Sequence, residues 1–129
     1  MAEQLRHILY VEDEPDIRML AQMGLEDVGG FTVQVCSSGK EALERIAAFQ
    51  PQLILLDVMM PDMDGPTTLG KIRELRDFIT TPVIFMTARV QSQEVAAYKQ
   101  LGVVDVIPKP FNPMTLAKTV LEIWERRTG

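Results

Sequence analysis

The stretch LILLD, residues Leu53 to Asp57, decides how this chain folds. Four consecutive aliphatic side chains without polar alternation describe a strand covered on both faces, as in a parallel sheet layered between helices. The run stops at an acid and gives way to residues 58–66, a loop rich in Met, Pro, Asp and Gly. Upstream, Pro51 closes a helix in which Ala42, Leu43, Ile46 and Ala47 share a face, with Ser37 or Ser38 as its N-cap. Before that helix, Phe31 to Cys36 alternates apolar with polar and reads as a strand. Further back, His7 to Val11 is a second buried run, ending abruptly in Glu12-Asp13-Glu14. Pro15 then suits a first helical turn, and Ile17, Leu20, Ala21, Gly24, Leu25 and Val28 share one face until Gly29-Gly30 ends the helix.

Downstream of the central strand the same rhythm continues. Leu69, Ile72 and Leu75 mark a third helix, and Pro82 to Met86 form a fourth strand closed by Thr87. Residues 92–101 make a weaker helix stopped by Gly102, and Val103 to Ile107 a fifth strand that enters Pro108-Lys109-Pro110. The last helix, about Pro113 to Arg127, carries Ala117, Val120, Leu121 and Trp124 on one face. Arg126 and Arg127 stand near its C-terminus, where cations are favoured. Five strands each followed by a helix require parallel pairing with helices on both faces. The expectation is one α/β domain over residues 1–129: a doubly wound, flavodoxin-like sheet of five parallel strands in order 2-1-3-4-5, with five helices.

Composition narrows the function classes. Thirteen basic against eighteen acidic residues give a net charge of −5, which argues against a nucleic-acid-binding surface. No apolar run approaches the ~18–20 residues that cross a bilayer, and no signal peptide opens the chain, so the expected location is the cytoplasm. A lone cysteine, Cys36, excludes an internal disulfide, and its apolar setting marks it as a buried structural thiol.

The chemistry lies at the strand ends. The first strand ends in Glu12 and Asp13, the third in Asp57, the fourth in Thr87, and the fifth runs into Lys109. In the order 2-1-3-4-5 these four strands are successive neighbours about 4.8 Å apart, so three carboxylates, a hydroxyl and an ammonium converge in one shallow pocket. Any one acid could simply cap the helix after its strand; five polar groups arriving at one sheet edge tell against that for the set. Three adjacent carboxylates need compensating charge, which Lys109 and a hard divalent cation such as magnesium would supply. A carboxylate can attack phosphorus to give an acyl phosphate, and phosphoryl transfer asks mainly for positioning and charge neutralisation. No glycine-rich loop with a following Lys-Ser/Thr is present to cradle a nucleotide. His7, the sole histidine, starts the first strand at the opposite edge, where a solvated residue is expected rather than a general base.

Taken together and in order, ILYVEDE (8–14), LILLDVMMPDMDG (53–65), VIFMT (83–87) and KPF (109–111) resemble the receiver domain of two-component response regulators, of the chemotaxis-regulator-like kind. The resemblance covers essentially the whole chain. It implies that Asp57 is the phosphoacceptor, with Thr87 the switch hydroxyl and Lys109 its cationic partner. It implies that Glu12, Asp13, Asp57 and the backbone carbonyl of Met59 organise Mg2+. It also implies a cis bond before Pro110 and assigns Pro61 and Gly65 to the loop after the acceptor strand. The implied partners are a sensor histidine kinase or histidine phosphotransfer domain and a downstream protein target, with no nucleic acid or membrane bound by this domain, and a phosphorylation-dependent dimer as an open option. Such a domain is a phosphoacceptor and not an enzyme, beyond catalysing its own phosphorylation and dephosphorylation. A stand-alone receiver and one cut from a longer regulator fit the sequence equally.

Two departures from the family pattern matter. Glu12 replaces a second Asp, its extra methylene placing a metal-bound water without breaking the site. Val106 stands where many receivers carry an aromatic residue that swings inward with the threonine; Phe111 and Tyr98 are nearby in sequence, and nothing in the sequence makes either its substitute. Met19 and Met23, one turn apart and opposite the expected core face of the first helix, offer an adaptable surface for the phosphodonor domain. The competing readings are a metal-dependent phosphate-ester hydrolase and a receiver-like binding module that is never phosphorylated. Hydrolases of that type commonly place an acid two residues after the nucleophile, and here that place is Met59.

Overall fold

In a computed structural model describing residues 3–127, five strands alternate with five helices. They are β1 (His7–Val11), α1 (Pro15–Met23), β2 (Thr32–Cys36), α2 (Gly39–Phe49), β3 (Leu53–Asp57), α3 (Gly65–Arg73), β4 (Val83–Thr87), α4 (Ser92–Gln100), β5 (Asp105–Pro108) and α5 (Leu116–Arg126). The sheet order is β2-β1-β3-β4-β5, every pair parallel, as the apolar runs require. All five residues of β3 and of β4 are buried, because helices cover both faces. Side-chain alternation divides the core in two. Leu9, Ile54, Leu56 and Phe85 face the cluster beneath α2 and α3, and Ile8, Tyr10, Leu55, Met86 and Ile107 face the one beneath α1 and α5.

The helices depart from the expected faces in particular ways. After Met23 the first helix continues as a π-helical turn, Gly24–Val28, with Gly29 N–H donating to Gly24 O at 3.1 Å and Phe31 N–H bonding back to Leu25 O at 3.0 Å. The wider turn consumes an extra residue. Ala21, Gly24 and Leu25 therefore stay buried while Val28 rotates out into solvent, against the expectation of a face running through it; Leu20 is exposed as well. A Cβ at Gly24 would collide with the Pro113 carbonyl, so only glycine lets this helix lie so close to the segment before α5. In α2, Ser38 is the cap, its hydroxyl accepting from Glu41 N–H at 3.0 Å. Ala42 and Ile46 face the core while Ala47 is exposed. Leu75 lies past the end of α3, β5 begins at Asp105 after a turn, and α5 begins at Leu116. Its inward face is Leu116, Ala117, Val120, Ile123 and Trp124, with Leu121 left exposed one step around the helix. His7 is half-buried, its ring edge-on to Phe49 at 5.6 Å, rather than simply solvated. No helix among the described residues is long and apolar enough to cross a membrane.

Candidate functional site

The acidic residues gather because strand ends put them there. Glu12 prolongs the β1–β2 ladder by one residue, its N–H donating to Cys36 O at 3.0 Å, and the chain turns away at Asp13. Asp57 closes β3 opposite Met86, and Thr87 closes β4 opposite Pro108, one row further on. Lys109 is held in register by its N–H, which donates to Thr87 O at 2.9 Å; the bond from Lys109 to Pro110 is cis. Above Asp57, Gly65 passes so close that an added Cβ would come within 2.7 Å of the Asp57 carbonyl oxygen. The close approach also lets Gly65 N–H donate to Val58 O at 2.9 Å, folding the Met- and Pro-rich loop back over the strand end.

Glu12, Asp57 and Thr87 are almost fully buried. The Lys109 ammonium donates to Glu12 Oε1 and to Asp57 Oδ1, each at 3.0 Å. Burial pushes the Asp57 carboxyl up to about 6, and the neighbouring Glu12 charge adds to this while the bond from Lys109 opposes it. Burial alone would lower Lys109; its bonds to Glu12 and Asp57 outweigh that and hold it above the ordinary lysine value. One carboxylate oxygen from each of Glu12, Asp13 and Asp57 lies within 4.8 Å of the others. Asp13 Oδ1 is buried with no hydrogen-bond partner among the described residues. An anionic oxygen so placed fits a cation, and oxygen-only donors suit a hard divalent ion such as magnesium.

Thr87 lies at the same edge but turns elsewhere: its hydroxyl accepts the Arg89 N–H at 3.1 Å. The side chain of Met59 is exposed, so only its backbone could serve an ion. His7 lies at the far end of β1, paired with Thr32, outside the site.

Three features were not singled out from the sequence. Arg18 reaches back from α1 to the carbonyls of Glu12 and Asp13, at 2.8 and 3.4 Å, and so fixes the acidic turn. A basic residue one helical turn into a segment opened by three acids was the available signal. The Tyr10 hydroxyl is buried close to Glu12, and burial together with the charges of Glu12 and Asp57 strongly disfavours its ionisation. Beside Lys109, an apolar cleft of about 260 Å3 is lined by Ile17, Leu20, Ala88, Pro110 and Phe111.

Residues 8–121 match the family model described as the response regulator receiver domain. The chain is 38% identical over 126 residues to the transcriptional regulatory protein CseB of Streptomyces avermitilis, covering 98% of this chain and 52% of CseB. It is 36% identical over 127 residues to response regulator Rre1 of Synechocystis, covering 98% and 54%. The chain thus spans about half the length of these curated relatives. In structure it is similar to the chemotaxis response regulator CheY4 of Vibrio cholerae, with a TM-score of 0.84 at 29% identity over 93% of this chain and 99% of that one.

Proposed function

The chain belongs to the response regulator receiver family of two-component signalling, and on that footing we propose that Asp57 is its phosphoacceptor and that Glu12, Asp13, Asp57 and the Met59 backbone carbonyl hold Mg2+ beside it. The observation that carries this reading is the Lys109 ammonium, 3.0 Å from Asp57 Oδ1 and shared with Glu12. It leaves a buried carboxylate at a strand end with a cation already poised for an incoming anion. The unpartnered oxygen of Asp13 supports the ion.

A carboxylate oxygen of Asp57 attacks phosphorus, the donor's bond to phosphorus breaks, and the departing group carries off the electron pair. With a histidine donor the broken bond is phosphorus–nitrogen. Magnesium, when bound, neutralises charge on the phosphoryl oxygens. Lys109 turns toward one of those oxygens, and the Thr87 hydroxyl gives up the Arg89 amide to donate to another. That exchange pulls on residues 88–91 and so on α4, making α4, β5 and α5 the output face. Met59 two places after Asp57 offers no proton shuttle, which favours a persisting acyl phosphate over a hydrolase.

The donor is a histidine kinase or histidine phosphotransfer domain, docking on α1 where Met19, Leu20 and Met23 are exposed and Leu20 lines the cleft beside Lys109. The readout is a downstream protein or a second phosphorylated copy, in the cytoplasm, and residues 1–129 act as one receiver unit. Mass spectrometry after acetyl phosphate and magnesium tests the core of this reading. One added phosphate on the wild type and none on Asp57→Asn is expected; phosphate persisting on the variant overturns the assignment.

A further inference from the structure

Two cations meet the acidic edge of the sheet, and they meet it differently. Lys109 bonds the carboxylates themselves, taking Glu12 Oε1 and Asp57 Oδ1 at 3.0 Å each. Arg18, half-buried on α1, bonds the peptide carbonyls instead: its Nη1 donates to Glu12 O at 2.8 Å and to Asp13 O at 3.4 Å. A guanidinium bonded to two acidic residues would ordinarily hold their carboxylates, because that pairing is the stronger one. Here both contacts go to the backbone, and Asp13 Oδ1 is left without a partner among the described residues. The arrangement fastens the turn and keeps its ligand oxygens free.

That turn has little else to hold it. The β1 ladder ends with Glu12, and α1 does not begin until Pro15, with an N-cap, Glu14, that forms no side-chain cap bond. Among the described residues no backbone amide donates to the carbonyl of Glu12 or of Asp13, so Arg18 is their donor. A further bond inside the turn is long, from Glu14 N–H to Glu12 Oε2 at 3.3 Å. Against this stands the crowding of charge, with one carboxylate oxygen from each of Glu12, Asp13 and Asp57 within 4.8 Å of the others. Like charges so close push apart, and a turn free to yield would have to be drawn back and ordered by each ion it captured.

We propose that Arg18 is a positioning residue for the metal site, bracing the acidic turn through its carbonyls and thereby favouring magnesium over calcium. The inference rests on the reading of Glu12, Asp13 and Asp57 as metal ligands. Magnesium demands near-ideal octahedral geometry at about 2.0–2.1 Å, whereas calcium accepts looser coordination at about 2.3–2.6 Å. A rigid turn therefore matters most to the smaller ion. The charge of Arg18 acts the other way, since repulsion alone weakens both divalent ions alike. Brace and charge thus have opposite signs, which makes them separable.

Calorimetric titration of wild type, Arg18→Met and Arg18→Lys with magnesium and, separately, with calcium tests this. Methionine keeps an unbranched apolar stem and removes the donors and the charge. In Arg18→Met, magnesium affinity should fall about tenfold, the worth of one charge-assisted hydrogen bond, and calcium affinity by less than about threefold. Arg18→Lys, with its donor on a shorter reach, should fall between wild type and Arg18→Met for magnesium. Unchanged or tighter magnesium binding in Arg18→Met reduces Arg18 to a charge and overturns the brace. Equal weakening toward the two ions marks a general loosening and overturns it as well; in both cases the metal-site reading stands. Should Arg18→Met fold poorly, Arg18→Lys decides, and a ratio of magnesium to calcium affinity equal to that of wild type refutes the idea. Failure of the wild type to bind magnesium overturns the metal-site reading and the inference with it.

Discussion

α4 and α5 flank β5 and are of similar length, yet they are seated very differently. α5 buries Leu116, Ala117, Val120, Ile123 and Trp124, and the Trp124 indole donates to Glu3 O at 2.9 Å with Arg127 stacked 3.3 Å over the ring. α4 has no buried residue at all. It rests on half-buried Val95 and Tyr98, with Val90 and Leu101 exposed at its two ends. Its start is held locally, by a Glu94 carboxylate that accepts the Gln91 N–H at 3.4 Å. Segments with few buried apolar contacts open most readily, so the loop after Thr87 leads into the helix that is easiest to move. The receiver thus keeps a fixed wall on one face of β5 and a loosely seated one on the other.

Truncation separates the two walls most sharply. Trp124→Ala removes a buried indole and its hydrogen bond, and chemical denaturation should show a loss of about 3–5 kcal/mol. Tyr98→Ala should cost about 1–2 kcal/mol, because its ring is half-buried and meets Phe85 edge-on at 5.3 Å and 81°. Phe85 precedes Thr87 by two residues on β4 and faces the same side, so this contact ties α4 to the strand that ends in Thr87. The same variant should bind beryllofluoride within about twofold of wild type but no longer transmit amide shifts to residues 92–100; equal losses for Trp124→Ala and Tyr98→Ala would erase the contrast. Smallest of all, Glu94→Ala at the helix start should cost about 0.5 kcal/mol in the same denaturation assay.

Tyr98 also bears on the missing aromatic residue of β5. Val106 is half-buried and packs against the same cluster as Tyr98. The ring that lies against Phe85 of β4 is supplied here by α4.

Most of the fold was legible because buried parallel strands leave unbroken aliphatic runs, and LILLD and VIFMT admitted few other readings. The polar groups that end those strands were legible for the same reason, since sheet order alone brings Glu12, Asp57 and Lys109 together. What escaped depended on contacts between distant segments. The π-helical turn that exposes Val28 begins at Gly24, which lies tight against Pro113, and no periodicity records either. Ala47 and Leu121 were misplaced because each borders an apolar face, and only the packed neighbour decides on which side of the border it falls. Thr87 reached the expected edge, but its bond to Arg89 N–H is a matter of rotamer, to which sequence spacing is blind.

Cys36, at the end of β2, is buried, and burial pushes its thiol up to about 12. At neutral pH it is therefore almost entirely protonated and shielded from alkylating reagents. A chain whose one cysteine is silent is a ready host for site-directed spectroscopy. A cysteine introduced at an exposed position of α4, such as Gln93, could be labelled with a fluorophore or spin probe while the native residue stays in place. The motion of the loosely seated helix could then be followed without first rebuilding the protein around it.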